Sequence, residues 1–256
     1  MTLKLWIPSL LLSSIAWAQP ANQTGIAHVA FRVSDLEAAR TFFNKLGFEQ
    51  FFEMKQGEKT TEAFLKINDH QFLELYPQTD AAKQPLGLMH VCYESNDLDA
   101  LHAEYVKRGL TVSDVRKAGA GNMLMTMKDP EGQTIEYTQY MPGSRHFEDR
   151  GKHLGEKRVS EKLLGASSPA HDAAAIRAFY VEKLGFTAAG GSALRMPGDS
   201  GQKLDVVGSG PSGIQFAAGD LKRTASALVE LDAKSTATSV AVTGPDGVLV
   251  VFVKAN

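Results

Sequence analysis

The sequence has 256 residues, 43% of them hydrophobic and 22% charged, with 27 basic and 29 acidic side chains giving a formal net charge of -2. This is globular composition, with enough chain for one large domain or two of about 120 residues, and it excludes disordered and fibrous classes. No basic run with interleaved aromatics follows a phosphate backbone, which argues against nucleic acid as a partner, and a single cysteine, Cys92, excludes an intrachain disulfide.

In chain order, the first element is MTLKLWIPSLLLSSIAWAQP, where Lys4 precedes a short apolar run ending in Ala16-Trp17-Ala18. That is the pattern of a secretory signal peptide, residues 1–18. The run is broken by Pro8, Ser9, Ser13 and Ser14 and is too short to span a bilayer. The mature chain is therefore expected to be periplasmic or secreted, with no membrane attachment after cleavage.

GIAHVAFRVSD, residues 25–35, then predicts a buried strand that is apolar except for His28. SDLEAARTFFNKLGF predicts a helix, with Ser34 and Glu37 placed for a capping box, Leu36, Ala39, Phe43 and Leu46 on one face, and Gly47 as its stop. Two strands follow, TTEAFLKI and HQFLELYP. The pattern recurs with a strand at His90, a helix in NDLDALHAEYVKRGL capped by Asn96 with Leu98, Leu101 and Tyr105 inward, and strands NMLMTM and QTIEYTQY. MPGSRHFEDRGKHLGEKRVS reads as a charged, glycine-bearing linker, with His146 and His153 as solvated residues. Beyond it, HDAAAIRAFYVEKLGF predicts a helix buried on Ile176, Tyr180 and Leu184, and GDLKRTASALVELDA one with Leu221, Thr224, Leu228 and Leu231 on a stripe.

The unit is thus strand, helix, then up to three strands, used four times. One such unit leaves an apolar sheet face open, so units should pair. The predicted fold is α+β, with tandem βαβββ modules paired into two domains, residues 24–142 and 161–256, joined by a linker at 143–160.

Overlaying the first two units places His28 seven residues before Asp35, and His90 seven before Asp97. Glu74 in QFLELYP and Glu136 in QTIEYTQY also match, each a carboxylate among apolar neighbours. Singly, such residues are usually core histidines and strand-edge charges. Together, closed about a pseudo-twofold axis, they can converge on one divalent cation and leave two of six sites open for water or substrate. In the second half, alignment on the helix caps puts Gly165, Gly213 and Val251 where ligands would stand, with only Asp205 keeping a carboxylate, so that half should bind no metal.

HVAFRVSDL at His28, HVCYESNDL at His90 and DPEGQTIEY ending at Glu136, carried on this repeat, resemble the vicinal oxygen chelate superfamily of glyoxalase I, extradiol dioxygenases and bleomycin-binding proteins. The order His, Glu, His, Glu is similar to that of bacterial glyoxalase I. The resemblance implies His28, Glu74, His90 and Glu136 as ligands of one Ni, Zn, Co, Mn or Fe ion, Glu136 as the base, and Arg32 as a substrate contact. It implies a small-molecule substrate and is compatible with a homodimer. Tyr76, Pro77 and Gln78 after Glu74 depart from the glyoxalase I pattern. The implied activity is that of a lyase or isomerase; a ferrous extradiol dioxygenase and a non-enzymatic binding protein are the alternatives.

Overall fold

The computed structural model describes residues 22–198 and 200–254; the predicted signal segment lies outside them. The first half runs β1 (Gln23–Val33), α1 (Leu36–Lys45), β2 (Gln50–Gln56), β3 (Lys59–Lys66) and β4 (Phe72–Pro77). It continues with β5 (Gly87–Ser95), α2 (Leu98–Lys107), β6 (Arg116–Lys117), β7 (Met123–Lys128) and β8 (Thr134–Gln139). A short helix, α3 (Arg145–Glu148), sits in the joint. The second half repeats the order: β9 (Leu163–Pro169), α4 (Ala173–Glu182), β10 (Thr187–Ala188), β11 (Ala193–Arg195) and β12 (Lys203–Val207). Then come β13 (Gly213–Ala218), α5 (Leu221–Ala227), β14 (Lys234–Ser235), β15 (Ser239–Thr243) and β16 (Leu249–Lys254).

Each half forms one eight-stranded sheet, in the order β2-β3-β4-β1-β5-β8-β7-β6 and its counterpart β10-β11-β12-β9-β13-β16-β15-β14. In the first, β1 pairs parallel with β4, β5 parallel with β8, and β1 antiparallel with β5. That antiparallel seam lies between the two modules, as a pseudo-twofold axis requires. One sheet face is closed by the helices: Ala39, Phe43 and Leu46 in and after α1, and Leu98, Leu101 and Tyr105 in α2, are all buried with Val29, Phe31 and Val33.

The helix starts differ from expectation. Asp35 and Asp97, rather than Ser34 and Asn96, cap α1 and α2, each accepting a hydrogen bond from the amide three residues on. Ser34 is engaged elsewhere: its amide and hydroxyl both donate to the Asp246 carboxylate in the other half, at 2.9 and 2.6 Å. The fourth helix is shorter than its stripe predicts. α5 ends at Ala227, and a 3-10 turn over Val229–Leu231 follows.

Two glutamines lock the halves together. Gln71, just before β4, accepts from the Leu163 amide and donates to the carbonyls of Ile26 and Leu163. Gln202, just before β12, accepts from the Ile26 amide and donates to the Leu163 carbonyl. Gly25 is needed here, because a Cβ would stand 2.5 Å from Gln202 Oε1.

The joint is also a structured strap. Lys66, buried on β3, donates to the Asp149 carboxylate at 2.9 Å and pairs with Asp69 at 2.9 Å. Arg145 donates to the Glu53 carbonyl, and the Gly151 amide to Asp69. These bonds draw α3 across the open face of the first sheet, and His146, expected to be solvated, is 7% exposed. His153 keeps more of its exposure and pairs with Asp149 at 2.6 Å.

Candidate metal centre

The four central strands of the first sheet each supply one donor: Glu74 from β4, His28 from β1, His90 from β5 and Glu136 from β8. Register brings them together. His28 pairs with Phe72 and Cys92, Ala30 with Glu74 and His90, and Cys92 with Glu136, so period-two alternation aims all four at the face away from the helices. His28 Nε2 lies 3.0 Å from His90 Nε2, 3.3 Å from Glu74 Oε2 and 3.3 Å from Glu136 Oε1. His90 Nε2 is 3.5 Å from Glu74 Oε2 and 4.0 Å from Glu136 Oε2.

These spacings fit a cation. With metal-donor bonds of about 2.1 Å, donors at right angles around an ion are about 3.0 Å apart. Two imidazole nitrogens facing at 3.0 Å share at most one proton between them, and a shared ion would take both lone pairs. The charge balance points the same way. Burial and the charge of Glu74 push the nearby Glu62 carboxyl up to about 8, a sign of excess negative charge in the cavity. Burial would raise Glu136 too, yet the facing His28 and His90 hold it down at about 2. His90 is raised despite its burial, by its bond to Glu74 and the charge of Glu136. His28 Nδ1 has no hydrogen-bond partner among the described residues, so the ring is oriented by packing on Phe72, 4.6 Å between centroids.

Beside the donors is a cavity of about 250 Å³. Phe64, Phe72, Met54 and Leu124 form its apolar wall, and Glu62, Tyr76, Asn122 and His146 its polar one. The Tyr76 hydroxyl lies 2.6 Å from Glu62 Oε1 and 3.1 Å from Glu74 Oε2, so it links a carboxyl that retains a proton near neutral pH to the carboxylate facing His28. Sequence reasoning marked Tyr76 only as a departure from the glyoxalase I pattern and did not single out Glu62. Glu62 was visible as a third carboxylate in an apolar strand, and Tyr76 as the residue two after Glu74 on the same strand face.

Arg32 is not among the residues lining this cavity. It lines a separate one of about 380 Å³ with Lys59, Thr79 and Gln84, which adjoins the first at Tyr76, and donates to the Pro85 carbonyl.

Among the described residues the second sheet has no such centre. Register equates Gly165 with His28, Asp205 with Glu74, Gly213 with His90 and Val251 with Glu136. The main chain crowds both glycine places: a Cβ on Gly165 would stand 2.5 Å from the Lys203 carbonyl oxygen, and one on Gly213 2.8 Å from that of Leu249. The cavity there, about 210 Å³, is lined by no ionisable side chain.

The family model follows this division, and the solved structures match across both halves. Residues 25–137 match the family model described as the glyoxalase/bleomycin resistance protein/dioxygenase superfamily. No curated protein matches the sequence. Among solved structures, the Mn(II)-bound glyoxalase of Novosphingobium aromaticivorans superposes with a TM-score of 0.69 at 17% identity, covering 91% of this chain and 82% of that one. An extradiol ring-cleaving dioxygenase of B. fuscum gives 0.67 at 16%, covering 94% and 74%. A 2,3-dioxygenase of Pseudomonas sp. KL28 gives 0.69 at 14%, covering 92% and 93%. At these identities the likeness is one of fold.

Proposed function

We propose that this chain, whose residues 25–137 belong to the glyoxalase/bleomycin resistance protein/dioxygenase superfamily, is an exported metal-dependent enzyme with glyoxalase-like lyase or isomerase activity on a small substrate. The observation that carries the reading is the convergence of two histidines and two glutamates, with the closest nitrogens 3.0 Å apart. His28, Glu74, His90 and Glu136 would hold the ion, which supplies Lewis acidity to adjacent substrate oxygens. Glu136 lies in the cavity wall, where it would accept a proton from a substrate held at the ion. The link from Glu62 through Tyr76 to Glu74 offers a second place to keep a proton out of water. Export rests on the pattern of residues 1–18; among the described residues no helix is long and apolar enough to cross a membrane.

Elemental analysis of protein purified from its native compartment should find about one divalent ion per chain, as one four-donor site requires. His28→Ala or His90→Ala should lose most of it, and full occupancy in both would refute the centre. Glu136→Gln keeps the shape of the side chain and removes its basic charge. With metal retained, turnover on a substrate found by screening should fall by about 10² to 10⁴, the usual weight of a general base. Glu74→Gln is the comparison: a larger loss there moves the base to Glu74, and unchanged turnover in both removes proton transfer by either.

One observation favours a second reading. His28, His90 and Glu136 form a group whose ligand atoms lie within 4.8 Å of one another, the two-histidine, one-carboxylate set suited to ferrous oxygenases. Oxygen uptake by the iron-loaded protein with a catechol would establish it, and turnover without oxygen would exclude it.

A further inference from the structure

The strap between the halves places one more chemical group in the cavity. His146 lies on α3, outside both sheets, yet its ring is buried against Phe72 at 4.3 Å and Phe52 at 5.1 Å between centroids, and lines the same cavity as His28, Glu74 and Glu136. Its tautomer follows from a chain of bonds. The Met141 amide donates to Asn122 Oδ1 at 3.2 Å, which fixes the orientation of the Asn122 side chain. Asn122 Nδ2 must then be the donor in its 2.9 Å contact with His146 Nδ1. A nitrogen that accepts carries no proton, so the neutral ring holds its proton on Nε2. That atom is fully buried and has no hydrogen-bond partner among the described residues. A buried donor left unpaired is costly, and an aromatic face is a weak substitute for an oxygen.

We propose that His146 is a substrate-binding residue, whose Nε2–H donates to an acceptor oxygen of the small molecule held at the four-donor centre. The proposal rests on the metal-centre reading. The chemical class follows from the walls: an apolar body seated against Phe64, Phe72 and Met54, bearing oxygens at one end. Burial, with the charges of His28 and Lys66 adding to it, holds the ring's pKa down at about 3, so it offers a neutral donor throughout the physiological range. Being neutral, it favours neutral or singly charged acceptors over dianions, which an imidazolium would bind better. The site is thus completed by a segment outside the superfamily match, which ends at residue 137.

Two chelating probes test this: acetohydroxamate, and benzohydroxamate, which adds a phenyl group. They are titrated calorimetrically into the zinc-loaded full-length protein and its variants. Benzohydroxamate should bind more tightly than acetohydroxamate. His146→Phe, which keeps an aromatic ring but loses the donor, should weaken benzohydroxamate by about tenfold with zinc still at one per chain, and His146→Gln should restore part of the loss. Imidazole ¹⁵N spectra should show the Nε2–H tautomer in the parent. Parent-like affinity in a folded, zinc-loaded His146→Phe variant, or an Nδ1–H tautomer, would overturn the proposal while leaving the metal centre intact. Absence of zinc from the parent would overturn the centre itself and the proposal with it.

Discussion

His146 carries a cost as well as a function. Its pKa is about 3 in the folded chain against an ordinary 6.5, so between those values the unfolded chain binds a proton that the folded one does not. The stability this burial provides is complete above pH 6.5 and is lost as pH falls toward 3, at up to about 1.4 kcal/mol per pH unit. Urea unfolding of the metal-free protein at pH 7 and pH 5 should show a drop that is smaller by about 1 to 2 kcal/mol in His146→Phe. Equal drops would mean that the ring is not held neutral. At this scale the sequence was readable only where it repeated. His28 and His90, Glu74 and Glu136 occupy equivalent places, and each supported the reading of the other. Glu62 has no such double: strand register puts Leu124 at its counterpart. The environment of His146 is made by the fold of the strap and the aromatic wall beneath it, contacts between residues far apart in the chain that no local pattern encodes.

Among the elements, strands and helices were legible because period-two and period-3.6 apolar patterns coincided with turn residues. Gly47, Gly109 and Gly185 follow α1, α2 and α4 with φ near +80°, as expected of closing glycines. Capping residues were less legible, because Ser34 and Asp35, or Asn96 and Asp97, are both good N-caps and only the tertiary bond from Ser34 to Asp246 separates the first pair. Asp97→Ala should cost about 1 kcal/mol, measurable by denaturant unfolding. The strands of the second sheet set a stronger test. Replacing Gly165, Gly213 and Val251 by His, His and Glu restores the composition of the first centre but not the room for it, since Gly165 abuts the Lys203 carbonyl. Gly165→His alone should destabilise by about 2 kcal/mol or more, and the triple variant should gain no second metal ion per chain. Two tightly bound ions would show that the backbone yields more readily than its packing implies.

The whole molecule is held by contacts made twice. Besides the glutamines, Asp246 of the second half engages Ser34 in the turn before α1, and Glu131 of the first accepts from the His171 and Asp172 amides before α4, at 3.0 and 2.6 Å. Composition and repeat length pointed to two domains, but not to these bonds, because a glutamine between two halves looks in sequence like any polar residue before a strand. Gln202→Leu removes the partner of the Ile26 amide and one donor to the Leu163 carbonyl, and should cost about 2 to 3 kcal/mol in a single cooperative unfolding transition. Two resolved transitions would show that the halves unfold independently.

Register makes Gln71 the counterpart of Gln202 and Ile26 that of Leu163, so each half does to the other what is done to it. This is the self-complementary contact that two identical subunits make about a twofold axis. The chain is thus built as a homodimer joined end to end, and the join has a genetic consequence. Identical subunits share one gene and must keep or lose a metal centre together. Joined in one chain, the two copies need not match: the second has glycine at the places of both histidines, while its surface still serves as the partner of the first.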